Sequence, residues 1–266
     1  MTLKFTILGC GTSGGVPRVG GTWGACDPDN PKNTRRRCSL LVERIGSSGR
    51  TPVLIDTSPD MRQQLLDVDV GQLDAVFFTH DHADHTHGID DLRWVAYNGG
   101  ARVDVYFDDH TGASLKKRFD YCFEAPEGSD YPPILKAHPL KPGETIHIDG
   151  AGGELAAMPY LQNHGSIDSI GYRIGGLAYS CDMKSLYDDS YPHLENLDIW
   201  IVDALRHTPH PSHHNLEEAL GAIERVAPKR AILTHMNIEL DYDALRRELP
   251  DNVEPAYDGM VLELED

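Results

Sequence analysis

The segment 79–88, T-H-D-H-A-D-H-T-H-G, places His80, His82, Asp84, His85 and His87 within eight positions. Imidazole and carboxylate are the donors that suit zinc, manganese and iron. The segment follows Asp74 and the apolar run Ala75-Val76-Phe77-Phe78, which has the length of a buried strand. Its histidines therefore leave the carboxyl end of that strand. In α/β proteins, ligands bind in the crevice outside such ends. A merely polar, histidine-rich loop would need neither the H-x-H-x-D-H spacing nor matching donors far along the chain, and this chain has both.

Three later places repeat the arrangement, each with one donor after an apolar strand. His164 stands in the polar loop Asn163-His164-Gly165-Ser166, after short strands that include 153–158. Asp182 ends a hairpin of 170–174 and 177–180 joined by Gly175-Gly176. His235 closes the apolar strand 230–234. Singly each is weak, because a lone histidine after a strand is more often just a satisfied polar residue. Together with His80, His82, Asp84 and His85 they make seven donors. Three or four donors make one catalytic metal site with an open position. Seven suffice for two ions that share a bridge, and Asp182 is the natural bridge because a carboxylate has two oxygens.

The rest of the chain reads as alternating strands and helices. A first strand, 3–8, enters the loop Gly9-Cys10-Gly11-Thr12-Ser13-Gly14-Gly15. Its spacing fits neither a P-loop nor the dinucleotide fingerprint. It is either a plain turn or an active-site rim offering N–H groups and Ser13. Residues 18–37 form a long irregular stretch ending in Arg35-Arg36-Arg37, a dense basic cluster. That cluster is either a solvated charge run or a phosphate-facing patch with Arg37 at its end.

Strands are expected at 38–43, 52–55, 102–107, 134–137, 144–148, 198–203 and 260–264. Helices are expected from Pro59 to about 66, and over 89–97, 112–123 and 241–249. Asn215 caps a further helix, 216–226. Residues 125–133 form a Pro/Gly-rich connection. The pattern is that of one α/β domain, residues 1–266, with two sheets sandwiched between helices.

Composition bounds the function. A formal charge of −18 opposes a general nucleic-acid binder, since such binding draws on Lys and Arg meeting phosphates. A metal site carries its own positive charge, so a small anionic substrate remains compatible. Five scattered cysteines, an odd set, suit reduced thiols in a cytoplasmic chain. The start M-T-L-K-F-T-I-L-G-C reads as a strand rather than a leader. No apolar run reaches the length of a membrane span.

The H-x-H-x-D-H motif with later single His, Asp and His donors resembles the metallo-β-lactamase superfamily, over most of the chain from the G-C-G-T-S-G-G loop to Thr234-His235. The segments I-L-G-C-G-T-S-G-G-V-P, R-R-C-S, P-S-H and L-T-H are most similar to its phosphodiesterase branch. The phosphoribosyl cyclic phosphodiesterases are the nearest group, and the tRNA 3′-processing ribonucleases a more distant one. The resemblance implies an αββα sandwich of two mixed sheets flanked by helices. It implies one zinc or manganese ion on His80, His82 and His164, a second on Asp84, His85 and His235, and Asp182 between them.

It also implies Asp56 as a buried orienting carboxylate, and His213 as the proton donor, with His214 the neighbour that could be mistaken for it. Asp84 is counted among the catalytic residues. Ser13, Arg37 and Ser166 are candidate substrate contacts. A structural zinc found in the cyclic phosphodiesterases is not expected, because the long loop offers only Cys26 and Ile238 stands where that group has a histidine. The implied activity is hydrolysis of a small cyclic or nucleotide-like phosphate diester. An RNA-processing nuclease and a lactone or thioester hydrolase are the alternatives. A homodimer is compatible with the sequence.

Three other residues near the motif have simpler readings. His87 lines its loop. Asp203 either supports the site or is solvated at its rim. Cys181, preceding Asp182 on a strand, is expected to point away from the metal face.

Overall fold

The computed structural model describes residues 1–125, 127–128 and 130–265. In the first half the elements are β1 (Thr2–Gly9), β2 (Ser39–Gly46), β3 (Gly49–Ile55), α1 (Met61–Asp67), β4 (Ala75–Phe77), α2 (Ala83–Thr86), α3 (Leu92–Gly99), β5 (Val103–Phe107), α4 (Asp109–Arg118), α5 (Asp120–Phe123) and β6 (Leu135–Pro139). The second half holds β7 (Ile146–Ile148), β8 (Leu155–His164), β9 (Ile167–Ile174), β10 (Leu177–Ser180), β11 (Ser185–Leu186), β12 (Ile199–Asp203), α6 (Leu216–Val226), β13 (Arg230–Thr234), α7 (Tyr242–Glu248), β14 (Val253–Pro255) and β15 (Met260–Glu265). Of the connection read at 125–133, Pro126 and Ser129 lie outside the described residues.

Two mixed sheets result, as the resemblance implies. The seven-stranded sheet runs β15-β1-β2-β3-β4-β5-β6. It is antiparallel as far as β3 and parallel from β3 to β6. The eight-stranded sheet runs β11-β8-β9-β10-β12-β13-β14, with β7 on β8. It is antiparallel as far as β10 and parallel beyond. Each half therefore ends in parallel strands, and parallel strands aim their carboxyl ends the same way.

Strand alternation explains the layers. Val53 and Ile55 of β3 and Phe77 of β4 face a core shared with Tyr172, Trp200 and Leu233 of the other sheet. Leu54, Val76 and Phe78 face the opposite way, against α1, α3 and α4. A period of two puts successive side chains on opposite faces, so both faces of these strands are covered.

Local signals placed several elements well. Helix α6 carries both arms of a capping box, Asn215 accepting from Glu218 N and Glu218 reaching back to Asn215 N. The helix read over 112–123 is instead two. Asp108 caps α4 by accepting from Thr111 N, and the chain leaves helical geometry at Phe119 (φ −133°, ψ 42°), whose ring packs on His87. The strand read at 153–158 extends to His164, because β8 and β9 form one long hairpin down to the pair His164–Ile167. Gly165, at φ 77°, makes the tight turn with Ser166. His164 therefore ends a strand and does not sit in a loop.

Candidate metal centre

The donors stand at the carboxyl ends of β4, β8, β10 and β13. Asp56, Asp182 and His235 each follow a strand and take left-handed backbone, at φ 65°, 50° and 58°. Non-glycine residues seldom adopt that conformation, and where they do the surrounding structure must hold them. In each case the turn lets the chain leave its strand abruptly.

Two donor clusters meet at Asp182. His80, His82, His164 and Asp182 form one, and Asp84, His85, Asp182 and His235 the other, with donor atoms within 4.8 Å of one another in each. Asp182 Oδ1 lies 3.1 Å from His85 Nε2 and 3.3 Å from His235 Nε2. Its Oδ2 lies 3.7 Å from His80 Nε2 and 3.6 Å from His164 Nε2. Asp84 Oδ2 stands 3.5 Å from His85 Nε2, and His82 Nδ1 stands 3.3 Å from His164 Nε2. One oxygen of Asp182 thus serves each cluster.

The residues fit divalent cations. Four ligands at about 2.0–2.2 Å around a tetrahedral ion are about 3.3–3.6 Å apart, close to these spacings. The Nε2 atoms of His80, His85 and His235 are buried with no hydrogen-bond partner, although such atoms are ordinarily satisfied. The Nδ1 atoms of His80, His85 and His164 are engaged, whereas His235 Nδ1 also lacks a hydrogen-bond partner and lies 3.8 Å from Asp203 Oδ1. His85 Nδ1 meets Asp56 Oδ2 at 2.7 Å. His80 Nδ1 meets Thr79 Oγ1 at 2.9 Å, and that hydroxyl donates to Asp56 Oδ2. His164 Nδ1 donates to Ser212 O at 2.7 Å. Engaging Nδ1 this way turns the Nε2 lone pair inward, as in metal-binding histidines.

Charge follows the same logic. Burial drives His80 and His164 below the ordinary imidazole value. Burial also acts to lower His85 and His235, but Asp182 and Asp84 outweigh it, raising His85 well above its usual value and His235 to about 10. Burial would raise Asp84 and Asp182, yet His85 and His235 hold both well below the carboxylate range. Without a metal, protons on these imidazoles supply the positive charge that the two acids demand.

His213 stacks on His235, with ring centroids 4.6 Å apart and planes at 10°. Its Nδ1 is 2.7 Å from Asp203 Oδ2, and its Nε2 is 3.9 Å from Asp182 Oδ2. Asp203 is fully buried and also accepts from Met183 N, so it supports the site and is no rim residue. His214 has its own Nδ1 buried without a partner, and burial lowers it beside Glu218 and Lys184.

Other readings change. Of the arginine cluster, Arg35 is buried and donates to Asn237 O and Leu240 O. Arg36 spans Asp67 and Asp258, and Arg37 pairs with Asp60 at 3.0 Å. The cluster fastens the long loop and is neither a solvated run nor an open phosphate patch. Cys26, also buried, contacts Arg35 and Leu240 O. Ser13 and Ser166 are exposed, and no hydrogen bond among the described residues joins either to the clusters. Gly165, beside Ser166, packs on Ser212 next to His213. His87 is exposed at the loop edge. Cys181 does not point away, since its sulfur lies 3.0 Å from Asp182 Oδ1. Sequence reasoning missed Thr79 and Ser212 as orienting groups. Thr79 was signalled only by lying between the β4 run and His80.

Two mixed sheets, with acidic and imidazole donors converging at their strand ends, define the metallo-β-lactamase fold. The beta-lactamase superfamily domain matches residues 51–236, and the chain belongs to that superfamily. A solved structure described as a new diphosphatase from the PhnP family is 36% identical, with a TM-score of 0.88, covering 99% of this chain and 98% of that one. The octanoyltransferase of Porphyromonas gingivalis is 32% identical over 262 residues, 97% of this chain and 51% of that protein. The ribonuclease Z of Methanopyrus kandleri is 28% identical over 162 residues, 60% of this chain and 50% of that protein. The chain spans about half the length of these curated relatives. No helix among the described residues is long and apolar enough to cross a membrane.

Proposed function

We propose that the chain is a phosphodiesterase acting on a small cyclic or nucleotide-like phosphate, in the cytoplasm. The observation that carries this reading is His213, held by buried Asp203 beside the shared carboxylate Asp182. An alkoxide leaving group needs a proton, and a positioned imidazole delivers one with a gain of roughly 10²–10⁴-fold. Asp203 accepts from Nδ1, so Nε2 is the nitrogen that carries the mobile proton toward the substrate. Full-length likeness to a diphosphatase supports a phosphate substrate.

His80, His82 and His164 would hold one zinc or manganese ion, and Asp84, His85 and His235 a second, with Asp182 shared. Such a pair supplies positive charge for phosphoryl oxygens and ionised water as nucleophile at neutral pH. Asp56 and Thr79 keep His80 and His85 in the binding tautomer. The five cysteines, all unpaired and buried, suit a reducing compartment.

A second reading, an ester or thioester hydrolase, is favoured by the relative named an octanoyltransferase. The ribonuclease reading draws on the Methanopyrus relative. The engagement of Arg35, Arg36 and Arg37 inside the fold weighs against it, as does the charge of −18.

The test is hydrolysis of a bis-aryl phosphate diester, a 2′,3′-cyclic nucleotide, an octanoyl thioester and a lactone, with zinc or manganese added. His213→Ala and Asp182→Ala run beside the parent. Phosphate turnover lost in both variants supports the proposal. Thioester or lactone turnover with inert phosphates transfers the protein to the second reading.

A further inference from the structure

Asp182 has to present one oxygen to each donor cluster, so something must fix its rotation. The imidazoles around it are themselves the groups to be served. Cys181 is different. The chain turns left-handed at Asp182 (φ 50°), which brings Cys181 Sγ to 3.0 Å from Asp182 Oδ1. That is the oxygen facing His85 and His235. The other side chains paired with this carboxylate, His80, His85, His164, His213 and His235, are all imidazoles.

A second thiol is buried beside the first. Cys38, immediately before β2, is buried and in side-chain contact with Cys181. Its sulfur donates to Gly11 O at 3.4 Å and lies 3.7 Å from Thr234 Oγ1. A thiol has one hydrogen and a weakly accepting sulfur. The Cys38 hydrogen is directed to Gly11 O, and the Cys181 sulfur stands as donor to Asp182 Oδ1 at 3.0 Å. Both sulfurs are shielded from solvent, so water does not compete for the contact.

We infer that Cys181 is a positioning residue for the shared carboxylate. Its S–H fixes Asp182 Oδ1 in the rotation that divides the two oxygens between the clusters. This rests on the metal-centre reading of Asp182. Partners that orient metal ligands are worth about 10–100-fold in metal affinity. Cys181→Ala therefore weakens divalent-ion binding by about that factor, whereas Cys181→Ser keeps a donor at the same place and restores most of the loss.

The experiment titrates zinc and manganese into the metal-free full chain against a chromophoric chelator, for the parent, Cys181→Ala and Cys181→Ser. Alongside it, the infrared S–H band of Cys181 is taken from the parent-minus-Cys181→Ser difference spectrum. Weak binding by the alanine variant, recovery by the serine variant and a band shifted to low frequency support the inference. Equal binding by parent and Cys181→Ala overturns it. So does equal weakness of the two variants, because the loss is then one of packing and not of a donor. If Cys181→Ala does not fold, an unshifted band overturns it alone. A parent that binds neither ion overturns the metal-centre reading, and this inference with it.

Discussion

Replacing Asp56 by alanine removes a group that organises both clusters from behind. Asp56 is fully buried and accepts from Thr79 N and Thr79 Oγ1 at 2.8 Å and from His85 Nδ1 at 2.7 Å. Truncation strands two buried N–H groups and one hydroxyl. Each buried group left unsatisfied costs about 1–3 kcal/mol, and loss of one partner of a buried charged pair costs about 3–5 kcal/mol in all. Alanine must also adopt φ 65°, where aspartate is better tolerated.

The metal-free Asp56→Ala protein should therefore lose about 3–5 kcal/mol in urea unfolding. Metal affinity should fall about 10–100-fold, or about 1.4–2.8 kcal/mol. Asp56→Asn keeps the shape and the Thr79 N contact but sets an amide N–H against His85 Nδ1–H, so it should fall between parent and alanine. A Cm within the scatter of ordinary surface substitutions, about 0.5 kcal/mol, together with unchanged metal binding, would refute the claim that Asp56 orients the donors.

Asp203→Asn should lower turnover of diesters with poor leaving groups while leaving metal affinity near the parent value, because Asp203 holds the proton donor through Nδ1. Equal loss with good and poor leaving groups would argue against His213 as the acid. Metal binding at neutral pH should release protons, since His85 and His235 are held protonated without metal. Calorimetric titration in buffers of different ionisation enthalpy reads this, and buffer-independent heats would contradict it. For the same reason the metal-free protein keeps the stability of the raised His235 below about 6.5, its unfolded value. It should lose that stability as pH rises through about 10, which unfolding curves at stepped pH would show. Gly88→Ala would put a Cβ 2.2 Å from Ser58 O. Backbone must shift there, so a loss of about 1–3 kcal/mol is expected, and a Tm equal to the parent's would show that the loop yields freely.

Much of the chemistry was legible locally. The spacing of His80, His82, Asp84 and His85, the Asn215 cap with Glu218 three residues on, and the apolar run 230–234 ending at His235 are all patterns within a few residues. Periodicity and capping act over one turn or a few strand positions, so the string itself carries them. The seven donors named from the sequence are the ones that meet around Asp182.

What the string could not carry depends on partners distant in the chain. Arg35 is buried because carbonyls some two hundred residues later receive its guanidinium. His164 ends a strand because β9 pairs with β8 all the way to the turn. Cys181 reaches Asp182 because the backbone turns left-handed there, reversing the direction that strand alternation implied. Sequence by itself determined which side chains are candidate metal donors and roughly where strands place them. Tertiary structure decided their directions, because a side chain's aim is set by backbone dihedrals and long-range pairing, and neither has a local signature in the residues.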